Sequence, residues 1–278
     1  MRDNGIPDAE GGCGLEAHAG LAREALDYLV SVRSQTSATV KQEHFDHFMQ
    51  ALSKDAVFNP ESFLDAMAAR RLDATTIACR YVPEAARCLG ERWLADEISF
   101  VDVTVRTERL HSVVRRVDEL LDDADKVLGP SALILVAEAE QHTLGAFVLA
   151  LHLRAAGFSA IVRIAPVASE LTQLMAANRF DLVLVSLGCS AALGSGVGLV
   201  RTLRLLARGD MCIFVGGSIP VSDERLLAET GADRVLRDVS ALLAEYGACV
   251  EGRELERAGR KAVSLRRKSA AKGDGVEA

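Results

Sequence analysis

The change of hydrophobic period near residue 130 constrains the fold of this chain more than any other feature of the sequence. Before that point apolar residues recur with a helical period, and after it short apolar runs alternate with helical segments. The first run, 132–137 (ALILVA), is continuously apolar, which is typical of a parallel strand buried on both faces. Strands that alternate with helices at this spacing predict βαβ units around a parallel sheet.

The second half of the chain is predicted to form one α/β domain over 128–249. Its expected strands are at 132–137, 159–164, 181–187, 211–215 and 234–236. Its expected helices are at 145–156, 168–178, 194–207, 222–230 and 239–247. We therefore expect a flavodoxin-like, doubly wound parallel five-stranded sheet, which binds its ligand at the carboxyl ends of the strands.

The first half is predicted to be an all-α helical bundle over 19–122. Amphipathic segments follow one another at 21–29, 40–52, 59–67, 74–93 and 99–121. Asn59-Pro60 is typical of a helix start, because Asn caps free N–H groups and Pro loses no hydrogen bond at the first helical position. Pro83 lies inside the fourth segment and should bend or restart that helix.

Two terminal segments fall outside both predicted domains. Residues 1–18 hold glycines, prolines and charges without apolar periodicity, so a disordered tail is expected there. Residues 250–278 form a basic tail that carries no acidic residue between Arg257 and Lys272. A solvated or partly helical tail is the ordinary interpretation of such a charge run, and contact with an anion is the alternative.

Composition excludes several classes of protein. The net charge of -7 argues against a general nucleic-acid coat protein, since phosphate binding needs a positive field. The six cysteines show no CxxC pair and no zinc-type spacing, so we expect reduced thiols. The start lacks the apolar run of a signal peptide, and no stretch has the length and apolarity of a membrane span. A soluble, cytoplasmic protein without membrane contact is expected.

The residues that carry chemistry follow the ends of three predicted strands. The first strand runs into 140–145 (EQHTLG), the third into 186–190 (SLGCS) and the fourth into 216–218 (GGS). Glycine lets backbone approach a flat ligand closely, and serine offers a hydroxyl. A lone loop histidine is usually an ordinary surface residue, and paired glycines often serve only a tight turn. Three small-residue loops beside His142 at one sheet edge favour a ligand site instead.

These three loops resemble the cobalamin-binding domains, whose pattern is Asp-x-His-x-x-Gly, then Ser-x-Leu, then Gly-Gly. The resemblance implies that His142 binds cobalt as its lower axial ligand, that Glu140 holds the far ring nitrogen, and that the dimethylbenzimidazole tail enters a slot lined by the serine and the glycines. A neutral imidazole suits such a metal, and a carboxylate fixes its tautomer. Glu140 stands where Asp is usual, and Gly188 stands where Leu is usual, which is expected to widen the slot.

Residues 82–104 resemble the four-helix cap that covers the upper face of cobalamin. Trp93 matches the bulky residue that shields the upper ligand, and ordinary core packing is the alternative. Light-sensing repressors that use adenosylcobalamin have Trp, nine residues, then Glu-His. Val103-Thr104 occupies the last two positions here, so that upper histidine is missing. His111, two helical turns further on, is a second candidate, although an ordinary, partly exposed histidine is favoured.

The whole arrangement is most similar to the AerR/PpaA antirepressors of photosynthetic bacteria. The resemblance implies a non-enzymatic, cobalamin-dependent regulator of photosynthesis genes that acts on a CrtJ/PpsR-type repressor, with light as a candidate input. The hydroxo, methyl and adenosyl forms of cobalamin stay open, and the basic tail is a candidate for weak DNA contact. The expected cofactor-binding residues are Trp93, Glu140, His142, Gly145, Ser186, Gly188, Ser190, Gly216 and Gly217.

Two other functions remain open. A corrinoid carrier subunit, which presents methylcobalamin to separate methyltransferases, would share both domains, so fold cannot separate it from a regulator. A non-cobalamin α/β binding module is the third possibility.

Overall fold

The computed structural model describes residues 40–53, 57–122, 129–138, 140, 142–207 and 211–252. The predicted tail over 1–18, the predicted helix over 21–29 and the basic segment from Arg257 to Lys272 lie outside these residues. The chain divides into two compact units. One contains Met1–Ser131 and Phe147–Ala160, and the other contains Ala132–Ala146 and Ile161–Ala278.

The helices of the first unit begin and end close to the predicted positions. They are α1 (Gln42–Leu52), α2 (Pro60–Ala68), α3 (Val82–Leu94) and α4 (Phe100–Asp122). The Asn59 side chain caps α2 by accepting hydrogen bonds from the Glu61 and Ser62 N–H groups at 2.8 and 3.2 Å. Because Pro60 occupies the first helical position, its missing N–H leaves nothing unsatisfied.

The segment before α3 explains how the chain accommodates Pro83. A short helical turn, Ala74–Thr76, leads into a π-helical stretch, Ile77–Tyr81, and α3 follows directly. Pro83 therefore lies in the first turn of α3, directly after the π-helical stretch. The sequence predicted that Pro83 bends or restarts this helix, and the structure shows a continuous helical path whose hydrogen-bond pattern changes from π to α directly before the proline.

Aromatic and aliphatic side chains fill the core of the first unit. The ring of Phe48 packs edge-on against Phe63 with centroids 5.0 Å apart, and it lies 5.9 Å from the ring of Tyr81. Helix α4 adds buried side chains at helical spacing: Leu110, Val113, Val114 and Val117. Each large apolar side chain buried in this way stabilises the unit by about 1.5–3 kcal/mol, which is why the helical period of the sequence predicted the bundle.

The α/β part has the predicted doubly wound architecture. Its strands are β1 (Ser131–Val136), β2 (Ser159–Ile164), β3 (Leu182–Ser186), β4 (Cys212–Gly216) and β5 (Arg234–Leu236). They form one sheet in the order β2-β1-β3-β4-β5, and the pairs β1–β3, β3–β4 and β4–β5 are parallel. This is the flavodoxin-like strand order, so the predicted fold class is confirmed.

Helices alternate with the strands as the sequence predicted. They are α5 (Leu144–Ala155), α6 (Ala168–Ala177), α7 (Leu193–Leu206) and α8 (Asp223–Thr230), with 3₁₀ turns at Ser190–Ala192 and Val239–Ala241. A further helical stretch runs over 242–252. Helix α8 is capped at both ends, by the Ser222 hydroxyl and by Gly231 in the left-handed conformation (φ 70°).

One expectation about the cysteines is wrong. Cys212, at the start of β4, forms a disulfide with Cys249, and their Cα atoms are 6.5 Å apart. The two residues lie 37 positions apart in sequence, so only the tertiary fold brings them together. Cys79, Cys88 and Cys189 take no part in a disulfide among the described residues. Within the described residues, no helix combines the length and apolarity needed to span a membrane.

Candidate functional site

The register of the sheet aligns the ends of four strands. Val136 pairs with Ser186, Ser186 pairs with Gly216, and Gly216 pairs with Leu236. The loops that follow β1, β3 and β4 therefore leave the same edge of the sheet. This edge holds eight of the nine sequence-predicted binding residues, and the ninth, Trp93, belongs to the helical unit.

Glu140 is the buried centre of this edge. Its side chain is 0% exposed, and its Oε1 lies 2.6 Å from the backbone N of His142 and 2.7 Å from Nδ1 of the same residue. Its Oε2 accepts a hydrogen bond from the backbone N–H of Gly188 in the loop after β3. A buried carboxylate is tolerated only when such donors replace water. Glu140 thus ties the β1 loop to the β3 loop.

These contacts fix the charge of Glu140 and the tautomer of His142. Burial by itself raises the pKa of Glu140, but the hydrogen bonds from the N–H groups of His142 and Gly188 and from the imidazole hold that pKa below its usual value. The carboxylate is therefore ionised at neutral pH and favours the proton on Nδ1 of His142. Nε2 is left as the nitrogen with a lone pair, as metal ligation requires, on a side chain that is 76% exposed.

Gly188 makes room for another side chain of the protein. A Cβ atom at this position would lie 2.6 Å from Oε2 of Glu140, which is closer than real Cβ contacts. The missing side chain therefore gives room to the Glu140 carboxylate, and the wider tail slot stays a prediction. Because the longer acid needs this room, Glu140 and Gly188 are two parts of one arrangement.

Gly216 and Gly217 also make room for the protein's own backbone. A Cβ at Gly216 would overlap the carbonyl oxygen of Leu236 at the end of β5. A Cβ at Gly217, which has a φ of +118°, would overlap the carbonyl oxygen of Leu187. The structure thus shows close packing of backbone at both glycines, and close approach of a ligand there stays a prediction.

Hydrogen bonds join the loops after β3 and β4. The N–H of Leu187 donates to Gly216 O at 2.8 Å, and the N–H of Ile219 donates to Leu187 O at 3.1 Å. The hydroxyl of Ser218 lies 3.4 Å from the carbonyl oxygen of Gly188. Together with the Glu140–Gly188 contact, these bonds connect the loops after β1, β3 and β4 into one continuous edge.

The other predicted residues of the α/β edge lie near this network. Gly145 is exposed in the first turn of α5, and a Cβ there would meet no described atom within 4 Å. Ser186 is the half-buried last residue of β3, and Ser190 is exposed at the start of a 3₁₀ turn.

Trp93 and His111 belong to the helical unit. Trp93 is 44% exposed near the end of α3, and its ring centroid lies 6.2 Å from that of Phe100. Full core packing, the ordinary alternative, does not describe this side chain. His111 is half-buried, packs edge-on against Phe147 with centroids 6.0 Å apart, and has a pKa lowered by burial.

The donor set suits a metal that brings most of its own ligands. Among the described residues, no cluster of three or more His, Cys, Asp or Glu side chains could hold a bare metal ion. A cobalt held by a corrin ring needs only one protein ligand, which the exposed imidazole can supply.

Sequence reasoning missed Arg237, which follows β5 and bonds to the loop after β4, because no motif or spacing marks an isolated arginine there.

Comparisons with known proteins agree with this chemistry. Residues 130–246 match the model of the B12 binding domain. An uncharacterized 20.5 kDa protein in the bchF-crtJ intergenic region of Rhodobacter capsulatus is 36% identical over 184 residues, which are 66% of this chain and 96% of that protein. The chain belongs to the family of that protein and carries a B12-binding domain. Its cofactor is cobalamin.

Two solved structures are similar to this chain, and the first of them shares its fold. The monomethylamine corrinoid protein of Methanosarcina barkeri matches with a TM-score of 0.59 and 20% identity, over 76% of this chain and 98% of that one. A novel cobalamin-binding protein from Desulfitobacterium hafniense DCB-2 matches with a TM-score of 0.40 and 18% identity, over 76% of this chain and 99% of that one.

The arrangement of Glu140 and Gly188 predicts the effect of Gly188→Ala. The new methyl group must displace the buried carboxylate, so the B12-binding domain should retain hydroxocobalamin about tenfold less tightly or worse, as for other residues that orient a metal ligand. Titration followed by visible absorption measures this affinity. Gly194→Ala in α7 is the matched control, since a Cβ there meets no described atom within 4 Å and affinity should not change.

Shortening the acid tests the coupling directly. Glu140→Asp in the Gly188→Ala background removes one methylene and should recover part of the lost affinity. If the double variant binds hydroxocobalamin no more tightly than Gly188→Ala alone, the space at position 188 does not determine how the acid at position 140 fits.

The packing at Gly217 predicts a loss of stability in the cofactor-free protein. Gly217→Ala combines a positive φ with overlap on Leu187 O, so it should lower the free energy of unfolding by about 2 kcal/mol or more. Gly231→Ala is the control, because its φ of 70° is strained but no described atom crowds its Cβ, and about 1 kcal/mol is expected. Urea unfolding measures both, and equal losses would contradict the overlap.

Proposed function

We propose that this chain is a cobalamin-dependent transcriptional regulator of the AerR/PpaA type, which acts by contact with a CrtJ/PpsR-type repressor of photosynthesis genes. The observation that carries the cofactor part is the exposed imidazole of His142, whose Nδ1 is held by the buried carboxylate of Glu140. The regulatory part rests on the relative encoded in the bchF-crtJ intergenic region.

In this proposal different residues of the sheet edge bind different parts of cobalamin. His142 Nε2 would bind the cobalt, and Glu140 would keep the proton on the opposite nitrogen. Ser186 and the loops that begin at Gly188 and Gly216 border the slot for the nucleotide tail. The bound cofactor supplies a cobalt centre whose upper ligand can be exchanged.

Two features support regulation through protein contact. The described residues form one helical unit and one α/β unit, so methyl transfer or radical chemistry would need a substrate site from another protein. The net charge of -7 disfavours the general phosphate binding that a DNA-binding protein uses. The chain would then regulate transcription through a partner protein that itself binds DNA.

The second candidate function is a corrinoid carrier subunit. The observation that favours it is the fold shared with the monomethylamine corrinoid protein of Methanosarcina barkeri. Since one fold serves both kinds of protein, the choice depends on the partner and not on the site.

His142→Ala tests the ligand assignment. The variant should lose stoichiometric hydroxocobalamin on gel filtration, while far-ultraviolet circular dichroism stays unchanged, because an exposed loop side chain contributes little to the core. His47→Ala on α1 is the matched control and should retain the cofactor. A His142→Ala protein with full cobalamin and an unchanged absorption spectrum would exclude His142 as the ligand.

The regulatory proposal predicts that cobalamin changes the affinity for the repressor. A typical coupling of about 1–3 kcal/mol corresponds to roughly a 5- to 150-fold change. Operator-shift and pull-down assays with the repressor, in dark and light, should show this change for the loaded wild type and no change for His142→Ala. Equal repressor affinity of the cofactor-free and loaded protein would contradict regulation and favour the carrier. Deleting 257–272 in the same assays tests a salt-sensitive contact of the basic tail with DNA.

A further inference from the structure

The loop that joins β4 to α8, residues 217–222, is held on its inner side by the end of β3. Ile219 donates its N–H to Leu187 O at 3.1 Å, and the hydroxyl of Ser218 lies 3.4 Å from Gly188 O. The conformation of this loop therefore sets one wall of the edge that holds the predicted tail slot. We call residues 217–222 the β4–α8 loop.

The side chain of Arg237, which follows β5, also holds the β4–α8 loop. Its Nη1 donates to Gly217 O at 3.0 Å and to Ile219 O at 2.8 Å, and its Nη2 donates to Val221 O. Its Nε donates to Oδ1 of Asp223, the first residue of α8, at 2.8 Å. One guanidinium thus binds three alternate carbonyl groups of the loop and the start of the next helix.

Only an arginine can make this set of contacts. The guanidinium carries five N–H donors in a rigid planar fork, whereas a lysine ammonium is a compact point charge with three donors. Its ion pair with Asp223 alone would contribute little, as exposed pairs generally do. The three carbonyl contacts are different, because Arg237 is only 34% exposed and the 217–222 loop has few hydrogen bonds of its own.

We propose that Arg237 is a positioning residue for the nucleotide tail of cobalamin, acting through the β4–α8 loop. This inference rests on the proposed tail slot. Arg237 contacts the loop that begins at Gly217, whereas the axial ligand His142 is held by Glu140 in the loop after β1. Arg237 therefore affects the binding of the tail more strongly than that of the corrin ring, because it is linked to His142 only indirectly, through the loop after β3.

Two corrinoids separate these effects. Hydroxocobalamin carries the nucleotide tail, and hydroxoaquocobinamide has the same ring and cobalt without the tail. Arg237→Gln in the full chain should weaken binding of hydroxocobalamin about tenfold or more, because it removes several hydrogen bonds to a charged donor. Its affinity for the cobinamide should stay within about twofold of the wild-type value. A twofold change is smaller than the loss of one such hydrogen bond would cause.

Two control variants separate the effect of the planar guanidinium of Arg237 from the effects of charge and of protein stability. Arg225→Gln removes an arginine that is 63% exposed and paired with Glu229 in the same helix, so it should bind both corrinoids like the wild type. Arg237→Lys keeps the charge without the fork and should lose hydroxocobalamin affinity as Arg237→Gln does. It also serves as the second test if Arg237→Gln unfolds.

The outcomes distinguish the possible failures. Equal weakening for both corrinoids would make Arg237 a general structural residue and overturn the proposal, as would unchanged binding of both by Arg237→Gln and Arg237→Lys. A wild-type protein that binds the two corrinoids equally well would overturn the tail slot itself, and the role of Arg237 with it. The ligand role of His142 would stand in that case, because its own variant tests it.

Discussion

One buried charge organises the functional edge of this protein. The Glu140 carboxylate is 0% exposed and meets two nitrogens of His142 and the N–H of Gly188. Desolvation would destabilise the ion, and the three donors offset that cost. Because the donors belong to the loops after β1 and β3, neither loop can move without leaving the charge less satisfied. The orientation of His142 therefore depends on the loop after β3 as well as on its own.

The glycines of the site have to be understood through this constraint. Gly188 gives space to the Glu140 carboxylate, and Gly216 and Gly217 give space to the carbonyl groups of Leu236 and Leu187. All three permit protein groups to approach one another, so the packing of the protein itself shapes the edge. Such preorganisation reduces the ordering that binding would otherwise require.

The sequence predicted those features that depend on local period and on capping. The β1 run from Ser131 to Val136 and the Asn59 cap of α2 have local causes, and both were predictable. The Cys212–Cys249 disulfide and the four contacts of Arg237 join residues that are 14 to 37 positions apart, so only the tertiary fold defines them. For Gly188, a family pattern marked the position, but the neighbour that explains it could not be read from the pattern.

A regulator and a carrier place different thermodynamic demands on the same site. A regulator requires that cobalamin and the partner change each other's affinity by the same factor, because binding linkage is reciprocal. A carrier requires only that the partner reach the cobalt, and its affinity for the partner need not depend on the cofactor. The edge built on Glu140 suits coupling, since the loops after β1, β3 and β4 are bonded into one unit that ligation at His142 would restrain together. A partner that contacts any of these loops would then bind with a different affinity when cobalamin is present, without contacting the cofactor itself.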